Sequence, residues 1–138
     1  METENTPAYV EIKIPCRPEY VGVARLAILG IASRMKFYYD EVEDIRLAVG
    51  ETCTTSVDWA QRNNKLDTNI ILKSFISPEK LIVEIIDESG PHNPEFSGTA
   101  NEPENIGALL VTLLVDEVEV TSNETGTRFR MVKYARQR

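Results

Sequence analysis

Apolar residues recur every three or four positions through residues 40–62, which is the period of an amphipathic helix. Val42, Ile45 and Val49 begin this apolar stripe. Asp40 stands two residues before Val42 and predicts the N-terminal cap, because an aspartate favours the positive end of a helix dipole. The other predicted elements are arranged around this helix.

Glu51 and Thr55 lie four residues apart in the same segment, so a helix places both side chains on one face. A carboxylate and a hydroxyl on one face are the first candidates for a chemical function. The alternative is that Glu51 is only a solvated residue on an exposed face, which is the commoner role of a glutamate.

A second helical pattern covers residues 19–37, where apolar residues such as Val23 and Ile31 recur at helical spacing. Gly22 and Gly30 lie inside it. Glycines within a helix often mark the close approach of a neighbouring backbone, so this pattern predicts a pair with the helix of residues 40–62.

Alternation with a period of two predicts strands, and a short apolar helix precedes the last two of them. The strands are predicted at residues 9–14, 70–74, 81–85, 117–121 and 127–134, and the helix at residues 106–115. Such segregated runs of helices and strands are typical of an α+β fold. We therefore predict a single domain over residues 1–138, a two-layer sandwich with helices on one face of a mixed, mostly antiparallel sheet.

The chain has 138 residues, of which 42% are hydrophobic, and a formal net charge of −7. This acidity argues against nucleic acid as a direct partner, because phosphate binding needs a basic face. No apolar run reaches membrane-spanning length and the polar N-terminus is unlike a signal peptide, so we expect a cytoplasmic protein with no membrane partner. Cys16 and Cys53 lack the spacing of metal ligands and are expected to be buried thiols.

Three segments carry a resemblance to a known family: PEYVGVARL at residues 18–26, DEVEDIRLAVGETCT at 40–54 and LVDEVEV at 114–120. The chain resembles the anti-sigma factors and serine kinases of the RsbW and SpoIIAB type, in the GHKL (Bergerat) ATPase superfamily, and the RsbW branch in particular. The resemblance covers nearly the whole chain. It implies a Bergerat-type fold, a homodimer, and ATP with Mg²⁺ as cofactors.

The resemblance gives the catalytic role to Glu51, as a general base or as the group that positions the nucleophile. One turn later the family has an asparagine that binds Mg²⁺ and contributes to the nucleotide site, where this chain has Thr55. A hydroxyl is a shorter and poorer ligand than an amide carbonyl, so we expect Thr55 to hold Mg²⁺ weakly.

Asp87 matches the family's acceptor for the adenine amine, and Gly90 follows one place later than the family's glycine. The alternative is that Asp87 only caps a turn. In the glycine-rich lid that wraps the phosphates, only Gly107 is retained. Glu104 and Asn105 stand where glycines are usual, and Glu104 would bring a like charge to the phosphates.

The resemblance implies an anti-sigma factor that sequesters an RNA polymerase sigma factor and is released by an STAS-domain anti-anti-sigma antagonist. The alternative is an active serine kinase, dependent on ATP and Mg²⁺, that phosphorylates this antagonist. Thr55, Glu104 and Asn105 favour the first. Arg25 is the candidate partner contact, because the family's first helix lies near the partner surface. A third interpretation is an α+β domain with an unrelated role.

Overall fold

The computed structural model describes residues 8–91 and 106–135. Within them the elements follow the predicted order. The strands are β1 (Ala8–Pro15), β2 (Asn69–Ile76), β3 (Lys80–Asp87), β4 (Glu117–Asn123) and β5 (Gly126–Tyr134), and the helices are α1 (Val21–Ala32), α2 (Tyr39–Arg62) and α3 (Ile106–Leu114), with one 3-10 turn at Pro18–Tyr20.

The strands form one sheet in the order β1-β2-β3-β5-β4. All four pairings are antiparallel. Hairpins join β2 to β3 and β4 to β5, and the longer connections also bring β1 and β5 in antiparallel to their neighbours. The predicted α+β fold is confirmed, whereas the parallel pairing that a mixed sheet requires does not occur within the described ranges.

One face of the sheet packs against the helices. Leu72, Ile85 and Phe129 lie in register on three neighbouring strands, and each is at most 2% exposed. Ile45 and Val49 of α2 belong to the same buried cluster. Burial of each such side chain contributes about 1.5–3 kcal/mol. The sheet and α2 are therefore held in a fixed relation, which matters because the candidate site residues are on both.

The N-cap of α2 lies two residues before the predicted one. It is Tyr38, whose backbone N–H donates to the Glu41 carboxylate at 2.8 Å. Asp40 is therefore not the cap but lies in the first helical turn, where a carboxylate still suits the helix dipole. The end of α2 at Arg62 is as predicted.

Helix α1 is shorter than predicted but packs against α2 as expected, with Ala24 and Ile28 fully buried. The reason given for that pairing was wrong. A Cβ atom added at Gly22 or Gly30 would meet nothing within 4 Å, so neither glycine is needed for the contact. Across residues 8–91 and 106–135, none of the helices combines the length and the apolar character that crossing a membrane requires.

Candidate functional site

A buried carboxylate ends strand β3. Asp87 is 0% exposed, and its Oδ1 atom accepts two hydrogen bonds from Ser89, one from the backbone N–H at 2.8 Å and one from the hydroxyl at 2.6 Å. Ser89 is itself only 2% exposed. A buried charge is costly unless donors surround it. The turn after β3 supplies two of them and so stabilises the carboxylate away from bulk water.

Strand β5 begins directly beside this carboxylate. Thr127 pairs with Asp87 across the sheet, is 0% exposed, and donates from Oγ1 to the Gly90 carbonyl at 3.4 Å. A Cβ atom at Gly126 would lie 2.2 Å from the Asp87 carbonyl oxygen, which is backbone and has little freedom to move away. Only glycine fits there, so the β3–β5 contact depends on Gly126.

The turn that carries Asp87 also touches α2. Gly90 has a φ of 117°, in the left-handed region that favours glycine. A Cβ atom on Gly90 would lie 3.7 Å from the Trp59 ring. Because Trp59 follows Thr55 by one helical turn, the structure brings Asp87 and Gly90 to the C-terminal half of the helix that carries Glu51 and Thr55.

Glu51 and Thr55 lie one turn apart on α2, as predicted, and both are half-buried. The Thr55 hydroxyl donates to the backbone carbonyl of Glu51 at 2.9 Å, so its proton is used within its own helix. Within residues 8–91 and 106–135 the Glu51 carboxylate makes no hydrogen bond or ion pair. The hydroxyl is therefore turned towards the helix backbone, whereas the carboxylate has no partner among the described residues.

These residues fit a nucleobase better than they fit a metal ion. At the Asp87 end there is a buried carboxylate, and an ionised carboxylate can accept a hydrogen bond from the amine of a nucleobase. At the Thr55 end, no group of three or more His, Cys, Asp or Glu side chains comes together among the described residues. Mg²⁺ is usually bound through one or two carboxylates and the phosphates of a substrate. Thr55 alone does not fit that role.

Both cysteines are buried and free, as predicted. The Cys16 thiol lies 3.8 Å from the Ser56 carbonyl. Burial, with a smaller effect of the Asp87 carboxylate, raises the pKa of Cys16 to about 11. Burial also raises the pKa of Cys53 to about 12. The thiolate is the reactive form of cysteine, so both thiols are inert at neutral pH.

The Arg25 side chain, which belongs to α1, lies against α2 at Gly50. A Cβ atom on Gly50 would come within 2.4 Å of the Arg25 Nε atom, so the side chain occupies the space that glycine leaves open. Gly50 is the residue immediately before Glu51. The predicted partner contact is thus half-buried against the helix that carries the predicted catalytic residue.

The predicted lid is described only in part. Gly107 lies in the first turn of α3, and α3 packs against α2. Glu104 and Asn105 lie outside the described residues. Their expected effect on phosphate binding remains a prediction.

Comparison with known proteins gives the family. The sequence profile of the histidine kinase-like ATPase domain matches residues 14–133. The serine-protein kinase RsbW of Bacillus subtilis (strain 168) is 34% identical over 95% of this chain and 88% of its own. The serine-protein kinase RsbW of Bacillus velezensis is 35% identical over 91% of this chain and 85% of its own. The chain belongs to the RsbW family of histidine kinase-like ATPase domains.

A solved structure supports the fold of this RsbW-family chain. The crystal structure of RsbU and RsbW domains from Mycobacterium tuberculosis matches with a TM-score of 0.71 at 13% identity, over 94% of this chain and 33% of that longer one. The predicted family and fold are confirmed. Membership in a family of ATPase domains implies that ATP is bound.

Three residues at the Asp87 end were not predicted from the sequence as site residues: Ser89, Gly126 and Thr127. The sequence did indicate the position of Thr127. It lies two residues from Phe129 and four from Met131, so it shares their face of the strand, which is the face towards the helices. Ser89 directly follows the acidic pair at the end of a buried strand, a position where side chains often bond the turn. Gly126 had no local signal, because its constraint comes from a strand distant in the sequence.

Proposed function

We propose that the chain is an anti-sigma factor, which binds an RNA polymerase sigma factor in the cytoplasm and keeps it inactive. An STAS-domain anti-anti-sigma protein would release it by competing for the same chain. The observation that carries this proposal is the 34% identity to an RsbW serine-protein kinase over 95% of the chain. Identity on that scale includes the first helix, which is the predicted partner surface.

Within this proposal, the end of β3 holds the base of ATP. An ionised carboxylate can only accept hydrogen bonds, and the exocyclic amine of adenine can donate one. The buried position of Asp87 supports this role, because a hydrogen bond is strongest where water is excluded. Mg²⁺, where it takes part, would be held mainly by phosphate oxygens, with Thr55 adding little.

The proposed partner surface consists of the exposed side chains of α1 together with Arg25, which lies half-buried against Gly50 of α2. Val23 is 45% exposed and Leu26 is 70% exposed, and they stand on either side of Arg25 in the sequence. An arginine among apolar side chains is the usual composition of an interface anchor. The net charge of −7 would steer a basic partner towards the chain. A homodimer is part of the same proposal.

The second candidate function is a serine kinase that phosphorylates the STAS-domain protein. The observation that favours it is the Glu51 carboxylate, which makes no hydrogen bond or ion pair among the residues described and could accept a proton. In that reaction the serine oxygen bonds to the γ-phosphorus of ATP, its proton passes to Glu51, and ADP leaves. The helix-bound hydroxyl of Thr55 is the feature that weighs against efficient transfer.

The test is to produce each sigma factor and STAS-domain protein of the source organism and to titrate it into the purified chain. We expect one sigma factor to bind tightly and one STAS-domain protein to displace it. The absence of any sigma-factor complex would contradict the proposal.

Incubation of the STAS-domain protein with the chain and γ-labelled ATP then separates the two candidate functions. Glu51→Gln should abolish any phosphoryl transfer while leaving sigma-factor binding unchanged. Transfer that persists in Glu51→Gln would show that Glu51 is not the base.

A further inference from the structure

The hydroxyl of Ser89 makes a buried contact with the Asp87 carboxylate. By the resemblance described above, Ser89 stands where the family's glycine is expected, and a glycine has no side chain to donate. In this chain the Ser89 hydroxyl donates to Asp87 Oδ1 at 2.6 Å, in addition to the backbone N–H at 2.8 Å. The contact is therefore a property of this chain and not of the motif.

Two of the contacts that orient the Asp87 carboxylate come from Ser89. Both donors belong to Ser89 and both reach Oδ1, so rotation of the carboxylate about its Cβ–Cγ bond would break at least one of them. Asp87 is 0% exposed and Ser89 is 2% exposed, so bulk water does not replace a lost donor. Hydrogen bonds to charged groups are also stronger than neutral ones. The plane of the carboxylate is consequently fixed before any ligand arrives.

A fixed carboxylate has a consequence for base selection. While the Ser89 hydroxyl donates to Oδ1, the carboxylate presents acceptors, and acceptors suit a purine with an amine at the 6-position. A purine with a carbonyl there, such as inosine, would place an acceptor against an acceptor. A site that leaves buried polar groups unpaired rejects such an analogue strongly.

We propose that Ser89 is a positioning residue that holds the Asp87 carboxylate in the orientation that accepts a 6-amino group, and so determines the preference of this chain for ATP over inosine triphosphate. The proposal rests on the proposed nucleotide site. Ser89 acts through Asp87 and need not touch the base itself.

The test compares the binding of ATP and inosine triphosphate by calorimetry to the full chain and to Ser89→Ala. Loss of a hydrogen bond to a charged group predicts that ATP affinity falls about tenfold. Inosine triphosphate affinity should fall much less, so the ratio of the two affinities shrinks. Ser89→Cys, which keeps the shape but donates weakly, should lie between Ser89→Ala and the unaltered chain.

The matched control is Ser74→Ala. Ser74 is a buried serine of strand β2, but within residues 8–91 and 106–135 its hydroxyl makes no hydrogen bond. Its removal should change neither nucleotide affinity nor the ratio between them. Thermal unfolding of each variant separates a fold defect from a binding defect, and Ser89→Cys provides the comparison if Ser89→Ala does not fold.

Three outcomes would overturn the proposal. Equal ATP preference in Ser89→Ala and the unaltered chain would show that Ser89 does not position Asp87, while leaving the nucleotide site intact. A parallel loss of both nucleotides would show a purely structural role. If the unaltered chain binds neither nucleotide, the proposed nucleotide site fails together with this inference, although sigma-factor binding would stand.

Discussion

The two ends of the candidate site are built differently. At the end of β3, Asp87, Ser89 and Thr127 are all at most 2% exposed and are joined by hydrogen bonds to one another or to the turn. On α2, Glu51 and Thr55 are half-buried, and the Thr55 hydroxyl bonds its own helix. The side chains at the end of β3 are therefore held in place by the fold, whereas those of Glu51 and Thr55 on α2 are not held by the rest of the described domain.

This difference indicates that ligand binding and phosphoryl-transfer chemistry would depend on separate parts of the structure. A buried carboxylate that accepts two hydrogen bonds from its own turn is held by the fold itself, so its position persists as long as the sheet does. The proposed metal ligand Thr55 is one side chain on a helix face, and a change at such a position leaves the fold intact. If the proposed site is correct, nucleotide binding can be kept while metal binding at Thr55 is weakened.

The largest expected effect comes from removing the carboxylate. Asp87→Ala leaves the N–H and O–H of Ser89 as buried donors without an acceptor, which should lower the free energy of unfolding by about 3 kcal/mol. ATP binding should be lost as well. Denaturant unfolding and calorimetry measure the two effects.

Asp58→Ala is the control for the carboxylate. Asp58 is an exposed carboxylate on α2 and its removal should change stability by less than about 0.5 kcal/mol. If Asp87→Ala and Asp58→Ala are equally stable, the hydrogen bonds between Asp87 and Ser89 do not contribute to stability as expected.

Gly126→Ala should have the next largest effect. The new Cβ would lie 2.2 Å from the Asp87 carbonyl oxygen, and the backbone must shift to admit it. Overpacking of this kind costs about 2 kcal/mol. Gly30→Ala is the matched control, because its Cβ would meet nothing within 4 Å and alanine favours a helix by about 1 kcal/mol. A stable Gly126→Ala variant with normal ATP binding would contradict the close β3–β5 contact.

Gly50→Ala is expected to weaken partner binding without lowering the stability of the fold. Its Cβ would meet the end of the Arg25 side chain, which can swing away at little cost. If Arg25 anchors a partner, both Gly50→Ala and Arg25→Ala should weaken sigma-factor or STAS-domain binding by roughly tenfold, as the loss of an interface anchor does.

The double variant makes this test specific. Once Arg25 is alanine, Gly50→Ala should have no further effect on binding, because the two changes act on one contact. Thermal stability should be unchanged or slightly higher in Gly50→Ala, since alanine is the better helix former. Additive losses of affinity would remove Arg25 from the proposed surface.

The sequence predicted what local periodicity controls. The helix of residues 40–62, both hairpins and the helical face shared by Glu51 and Thr55 follow from spacing alone, whereas Asp87 became a candidate through the resemblance to the family. The constraints on Gly50 and Gly126 were not predicted, because each depends on an element distant in the sequence. The close helix contact that was predicted at Gly22 and Gly30 was wrong for the same reason.

Thr55→Asn tests the weaker end of the site and should have the smallest effect. An amide carbonyl reaches further than a hydroxyl and does not bond back to the Glu51 carbonyl, so it offers a free oxygen to a metal ion. We expect ATP affinity to rise a few-fold in the presence of Mg²⁺ and to stay unchanged in its absence. Thr54→Asn, one residue earlier on the same helix, is the control and should not respond to Mg²⁺. If Thr55→Asn gains nothing, the weakness of the metal end lies with Glu104 and Asn105, and adding Glu104→Gly and Asn105→Gly to Thr55→Asn would be needed to restore the affinity.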